Sequence, residues 1–273
     1  MPLYRKHPHV PVYIPRPRYV PTKIPPDLGE SGGNPHITSE LDTNNVATYN
    51  FVNTIAWAAN SPLVLTVINT DADAAELPST VTTTGLTWLQ FATVSYDASL
   101  IKRITCYYAN PTSSGSNTLS VTFSEAQTCC SYSVEQYLDM DNTSACIVQY
   151  KTGFVTAAVA GPFVVGFDNP LGTGNQWQFS GGIDTNTTLT QETGWTELAQ
   201  NGNGSPAHRW IVAWRTTKDL TPSMSVASGS KAYGIIAFEI KAGTPATSVS
   251  PLLRGGFLLN GGRLLGGRLI RHA

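Results

Sequence analysis

Charge is scarce in this sequence. Of its 273 residues only 13% are Asp, Glu, Lys or Arg, about half the quarter carried by an average soluble chain. Long apolar runs are missing as well. No stretch reaches the ~18 consecutive apolar residues of a membrane-spanning helix, so none is expected. The opening segment MPLYRKHPHVPVYIPRPRYV has no uninterrupted apolar core, and a conventional secretory leader is therefore not expected. The familiar catalytic signatures are absent too: there is no H-E-x-x-H, no G-x-S-x-G, no P-loop, and no G-x-G-x-x-G opening a helix. No window repeats its apolar residues with a helical period, and Lys and Glu are few beside Thr, Ser, Asn and Gly.

What remains is a chain able to build a core, with 41% hydrophobic and 10% aromatic residues. From 46 to 242 it reads as short β runs separated by turn residues. Leu63–Ile68 stops at Asn69, Thr70 and Asp71. Thr80–Tyr96 is broken at Gly85, and Ile104–Tyr108, Thr118–Phe123 and Cys130–Leu138 follow. The later runs are Phe154–Val159, Pro162–Phe167, Gln176–Phe179, Gly194–Ala199, Arg209–Arg215, Ser223–Ala227 and Tyr233–Lys241. Runs of this length, rich in Val, Ile, Thr, Tyr and Trp, predict an all-β sandwich or jelly roll. The two halves echo each other. LVLTVIN, G-L-T-W, TLSVTF and CSYSVEQYL are answered by PFVVGFD, G-W-T-E-L, SMSVA and YGIIAFEIK. This suggests related units at 46–142 and 146–242, forming one sandwich together or two in tandem.

The net charge of −1 conceals a segregation. Residues 1–28 carry five basic residues against one acid, and residues 251–273 carry four basic residues and no acid, so each segment is +4; the intervening stretch is −9. Residues 1–28 also hold eight of the 18 prolines. Proline fixes φ and lacks an N–H, so this stretch should be extended, near polyproline II. Its Tyr4, Tyr13 and Tyr19, with Arg5, Lys6, Arg16 and Arg18, suit a stiff strap that loses little entropy when it lies on a partner. We therefore expect a docking arm and hinge at 1–35, a body at 36–245, and a Gly-rich basic tail at 246–273. In the tail, Arg254, Arg263, Arg268 and Arg271 alternate with leucines and Gly-Gly pairs. It is too short for a core of its own and should pack on a neighbour or along an edge strand of the body.

Chemistry-bearing residues are thinly spread. Cys106, Cys129, Cys130 and Cys146 have no C-x-x-C spacing and no nearby histidine, so they read as reduced, buried thiols, with a Cys129–Cys146 disulfide as an alternative. His7, His9, His36 and His272 lie in the arm, hinge or tail, and only His208 falls within a β run. Glu135, Asp139, Asp141 and Glu239 could supply a carboxylate pair, but Glu135 and Glu239 are expected to face outward on alternating strands. Asp71 with Asp73, and Asp139 with Asp141, read as turn caps rather than calcium ligands. Trp210 and Trp214 share one strand face and are expected in the core. No catalytic residue, metal or cofactor is assigned.

The pattern G-L-T-W at 85–88, YYAN at 107–110, TLSVTF, VEQY, G-W-T-E-L and the closing IIAFEIKA resembles β-sandwich structural proteins of tailed-phage virions over about residues 60–242. That resemblance implies a non-enzymatic part of a virion: a capsid decoration or cement protein, a head fibre or a tail component. Its partners would be major capsid or other virion proteins and further copies of itself. Nucleic acid is a lesser alternative, and no membrane is implied. The competing expectation is a carbohydrate- or receptor-binding module on a virion or cell surface.

Overall fold

Alternating β-branched and aromatic residues favour extended backbone, and a sheet apolar on both faces must be covered on both. The computed structural model describes residues 33–243 and contains strands but no helix among them. The first half holds β1 (His36–Asp42), β2 (Val46–Asn50), β3 (Ile55–Trp57), β4 (Leu63–Thr70), β5 (Thr80–Thr82), β6 (Leu89–Tyr96), β7 (Lys102–Ala109), β8 (Gly115–Asn117), β9 (Ser120–Gln127) and β10 (Cys129–Gln136). The second holds β11 (Ile147–Val159), β12 (Phe163–Val164), β13 (Gln176–Ile183), β14 (Leu189–Gln191), β15 (Thr196–Gly204), β16 (Ala207–Arg215), β17 (Ser223–Val226) and β18 (Lys231–Ile240).

These strands form two five-stranded sheets, ordered β1-β10-β4-β7-β6 and β11-β18-β13-β16-β15. Two three-stranded sheets, β2-β9-β5 and β12-β17-β14, repeat the same correspondence, and the β3-β8 pair has no counterpart in the second half. Four layers result, in the order small sheet, large sheet, large sheet, small sheet. Each half has its own outer core. Tyr49, Phe51, Leu65, Val121 and Tyr132 fill the first, and Phe163, Trp177, Phe179, Ile211 and Met224 the second. A third core joins the large sheets and contains Val64, Tyr96, Ile104, Trp210, Val212, Trp214 and Phe238. Trp210 and Trp214 are therefore core residues. Ile211 and Ala213, on the opposite pleats of β16, enter the outer core of the second half.

The large sheets stack with β4 and β13 at the centre, where Thr66 Oγ1 and Ser180 Oγ lie 2.7 Å apart. At one end of this stack the Tyr137 hydroxyl donates to Gln178 Oε1. At the other, Tyr96 sits against Gly182 and Gly234. Equivalent strands thus run in the same direction. Edge strand β6 lies over β11 and β18, and edge strand β1 meets β15. That arrangement is a twofold rotation about an axis parallel to the strands. It puts the start and finish of both halves at one pole of the body.

The echoed tetrads T-G-L-T and T-G-W-T occupy matching turns into β6 and β15. The Leu86 amide donates to the Thr83 carbonyl at 2.9 Å and the Trp195 amide to the Glu192 carbonyl at 3.2 Å. Gly85 and Gly194 take φ of +93° and +90°, a conformation that favours glycine at this turn position. The acids prove less equivalent. Glu135 pairs in register with Val64, on the pleat facing the other large sheet, whereas Glu239 pairs with Trp177, facing its own small sheet. Both are fully buried. The expectation that they face outward fails because neither large sheet has an outward face at those positions.

Candidate functional site

Two kinds of position could carry function: polar groups enclosed in the body, and surface left open where strands end. The enclosed groups come first. Ser133 Oγ donates to Glu135 Oε1, and His36 Nδ1 lies 3.4 Å from the same oxygen and 3.5 Å from Ser133 Oγ. Gln178 Nε2 donates to Glu135 Oε2 at 3.2 Å. This brings Ser, His and Glu together, but in the wrong order for nucleophilic catalysis. A serine nucleophile must hand its proton to the imidazole and be open to substrate. Here the hydroxyl is spent on the carboxylate, and both Ser133 and Glu135 are fully buried. The cluster joins β1 and β10 to the second half.

Glu239 is held differently. Its Oε1 accepts from the Gly172 amide and from Asn175 Nδ2, both at 2.6 Å, and its Oε2 accepts from Gln149 Nε2 at 2.6 Å. Three neutral donors replace water around this carboxylate and tie the 167–175 loop to β11 and β18. Of the other acids, Asp141 pairs with Lys241 Nζ at 2.7 Å. Its carboxyl is held below the usual range, chiefly by the hydrogen bond from Lys241. Asp71 Oδ1 accepts from the Ala72 amide and from Thr128 Oγ1, which is turn capping. Among the described residues no three His, Cys, Asp or Glu side chains converge on a cation-sized site.

All four cysteines are free and buried, so a Cys129–Cys146 disulfide is not formed. Burial pushes the Cys106 and Cys129 thiols up to about 12 and Cys146 up to about 11. At neutral pH they are protonated and unreactive. His208 is fully buried, and desolvation pulls its imidazole down to about 4. The neutral ring has Nδ1 3.3 Å from the Pro206 carbonyl. None of these groups is arranged to transfer a proton to a ligand.

The open surface is more informative. At the pole where both halves begin, β6 and β11 border a groove of about 530 Å³, lined by Gln90, Phe91, Tyr108, Ile147, Val148 and Tyr150, with Ser144 and Gln149 at its margins. Phe91 is its pivot. Its ring stands edge-on to the buried Phe238 at 5.1 Å and lies 5.9 Å from Tyr150 and 6.2 Å from Tyr108. The floor is thus anchored in the central core while the upper rings stay wet, Tyr150 being 50% exposed. The strip continues along β11 through Phe154, 54% exposed. The lining includes no carboxylate, imidazole, amine or thiol. Its chemistry is stacking, apolar contact and amide hydrogen bonding.

The residues singled out from sequence as partner-binding, Tyr4, Arg5, Lys6, Tyr13, Arg16, Arg18, Tyr19, Arg254, Arg263, Arg268 and Arg271, lie outside the described residues. Sequence reasoning also missed the groove. Phe91, Tyr108 and Tyr150 stand on three separate strands, and the 147–153 stretch, where polar residues interrupt the apolar ones, gave no strand signal. Compared with protein-family models, curated proteins and solved structures, the chain shows no match.

Proposed function

We propose that this chain is a non-catalytic structural subunit, one that decorates or cements a phage capsid, or forms part of the head or tail assembly, through its flanking segments. The observation that carries the reading is β11. It is a 13-residue edge strand whose second edge pairs with no other strand among the described residues and whose exposed side chains include Val148, Tyr150 and Phe154. Proteins ordinarily blunt such edges with charge, proline or a cover, because an open apolar edge invites another chain. Here the edge is long and carries one charged side chain, Lys151, paired with Asp168, while Val148, Tyr150 and Phe154 leave apolar area open, which suits a surface that is covered on assembly. The two +4 segments on a −9 middle supply long-range attraction to neighbours of opposite sign. The capsid is the assembly that the sequence resemblance indicates.

The test is deletion of residues 1–28. The truncated chain should keep the cooperative melt of the full chain and fail to co-sediment with assembled particles. If it still binds particles as fully as the intact chain, the docking-arm reading is lost.

A second reading, a carbohydrate-binding module, is favoured by one observation: aromatic rings beside the amide side chain of Gln90 in an open groove. Under it, Tyr150→Ala would abolish retention on a glycan array while particle binding persists.

A further inference from the structure

The two ends of the described chain meet on one short segment. The Gln136 amide donates to the Pro35 carbonyl at 2.8 Å, and the Gly243 amide donates to the Asp139 carbonyl at 2.9 Å. Residues 136 and 139 are three apart, so their Cα atoms are separated by roughly 10 Å at most. The connection between the halves, 137–146, runs over the same pole. Its Ser144 borders the aromatic groove and accepts a hydrogen bond from Tyr108. The twofold axis parallel to the strands is the cause. Each half begins and ends at the same pole, so entry, crossover and exit coincide there. The described chain therefore enters and leaves at the pole that carries the groove, entering at β1, the opposite edge of its sheet from β6.

We infer that this pole is the attachment face of the subunit, and that it docks on an acidic protein surface bearing apolar side chains. The proposal rests on the reading that the flanking segments attach the chain, and adds to it a direction. Charge complementarity names the partner's sign, since the two sequence segments that flank the described residues carry eight net positive charges. The groove between β6 and β11 supplies the apolar contact that charge alone lacks. The opposite pole, with the exposed Ala227–Ser230 turn ahead of β18, faces away.

Single-cysteine reporters on the full chain test this, because the four native thiols are buried. Thr112→Cys sits at the attachment pole, next to Pro111, whose carbonyl accepts from Asn142 Nδ2 at 3.0 Å. Ser228→Cys sits at the far pole. Both positions are exposed. The chain is captured on beads carrying a random glutamate–tyrosine copolymer and then treated with a maleimide–polyethylene glycol reagent. The Thr112→Cys variant should react about tenfold more slowly on the beads than in solution, as expected when ~90% of copies are bound. The Ser228→Cys variant should react at an unchanged rate. Strong capture with equal protection of both positions overturns the attachment pole while leaving attachment through the flanking segments intact. Capture by duplex DNA beads and not by the copolymer overturns the acidic protein partner. Loss of particle binding on deleting residues 1–28 is read separately, so the two proposals can fail independently.

Discussion

The rotation that relates the two halves creates two seams where the edges of the large sheets meet, and the seams differ in chemistry. Where β6 meets β11, Phe91, Tyr150 and the neighbouring Tyr108 form an aromatic stack rooted on Phe238. Where β1 meets β15, the pleats facing inward carry Ser39, Leu41, Ala199 and Asn201, as their registers with Ser133, Ser131, Val212 and Trp210 require. One seam, the polar one, therefore sets Ser39 and Asn201 beside Leu41 and Ala199 and carries no aromatic ring among these positions, and the other is left open and aromatic. Equal topology with unequal chemistry locates the pressure for function. Packing alone would be served by either solution, and an open aromatic seam incurs a solubility cost unless something covers it.

The largest expected effect tests whether the aromatic seam is rooted in the core. Phe238→Ala removes the fully buried ring under Phe91 and should cost about 3–5 kcal/mol in urea denaturation. A loss below ~1 kcal/mol would mean that the seam floats on the surface, and the contrast with the polar seam would vanish.

On the other side, His208 pairs in register with Asn203 of β15 and gives the polar seam a pH dependence. Its folded pKa of about 4 lies below the ordinary value of 6.5. Between those limits the unfolded chain binds a proton that the folded chain refuses. The stability contributed by the neutral ring is therefore complete above pH 6.5 and is lost as pH falls toward 4, by on the order of 3 kcal/mol. His208→Phe should flatten the pH dependence of the melting midpoint over that window relative to the parent. An unaltered slope would remove His208 from the account.

Next in size is the far end of the aromatic side. A Cβ at Gly234 would come within 2.5 Å of the Tyr96 ring, and one at Gly182 within 2.3 Å of its hydroxyl. Gly234→Ala should destabilise by about 1–3 kcal/mol through overpacking. Shrinking the intruded ring with Tyr96→Leu should recover part of that loss in the double variant. Simple additivity of the two would show that the halves do not close on each other there.

These positions also mark how far the sequence could be read. The β character was legible because runs such as LVLTVIN and RWIVAWR have no competing helical period. The burial of Trp210 was legible because apolar neighbours flank it on both pleats. The matching turns were legible through Gly85 and Gly194, since few residues but glycine accept their φ. Strand β1 fell within the expected body but outside the β runs, which were read only from 46 onward, because HITSELD lacks an apolar face and owes its place to pairing with β10. Glu135 and Glu239 were misplaced because alternation tells which residues share a face but not whether that face is covered. The groove was invisible for a related reason. Its rings belong to β6, β7 and β11, and only the stacking of one half on the other brings Phe91 to Tyr150.

The smallest stability effect is the most discriminating. Tyr150 is half exposed and caps the stack from the solvent side. If the aromatic seam were merely a looser version of the polar one, Tyr150→Ala would destabilise in proportion to the ring contact it loses. If the ring is held for a partner, the substitution should cost less than ~1 kcal/mol in urea, because water already solvates half of it. The same variant should bind the glutamate–tyrosine copolymer at least about tenfold more weakly, since aromatic anchors in interfaces carry a disproportionate share of binding energy. The informative quantity is the ratio of the two losses. A variant that loses stability without losing capture places Tyr150 with Phe238 as a packing residue, whereas capture lost at constant stability separates the seams by purpose as well as by composition.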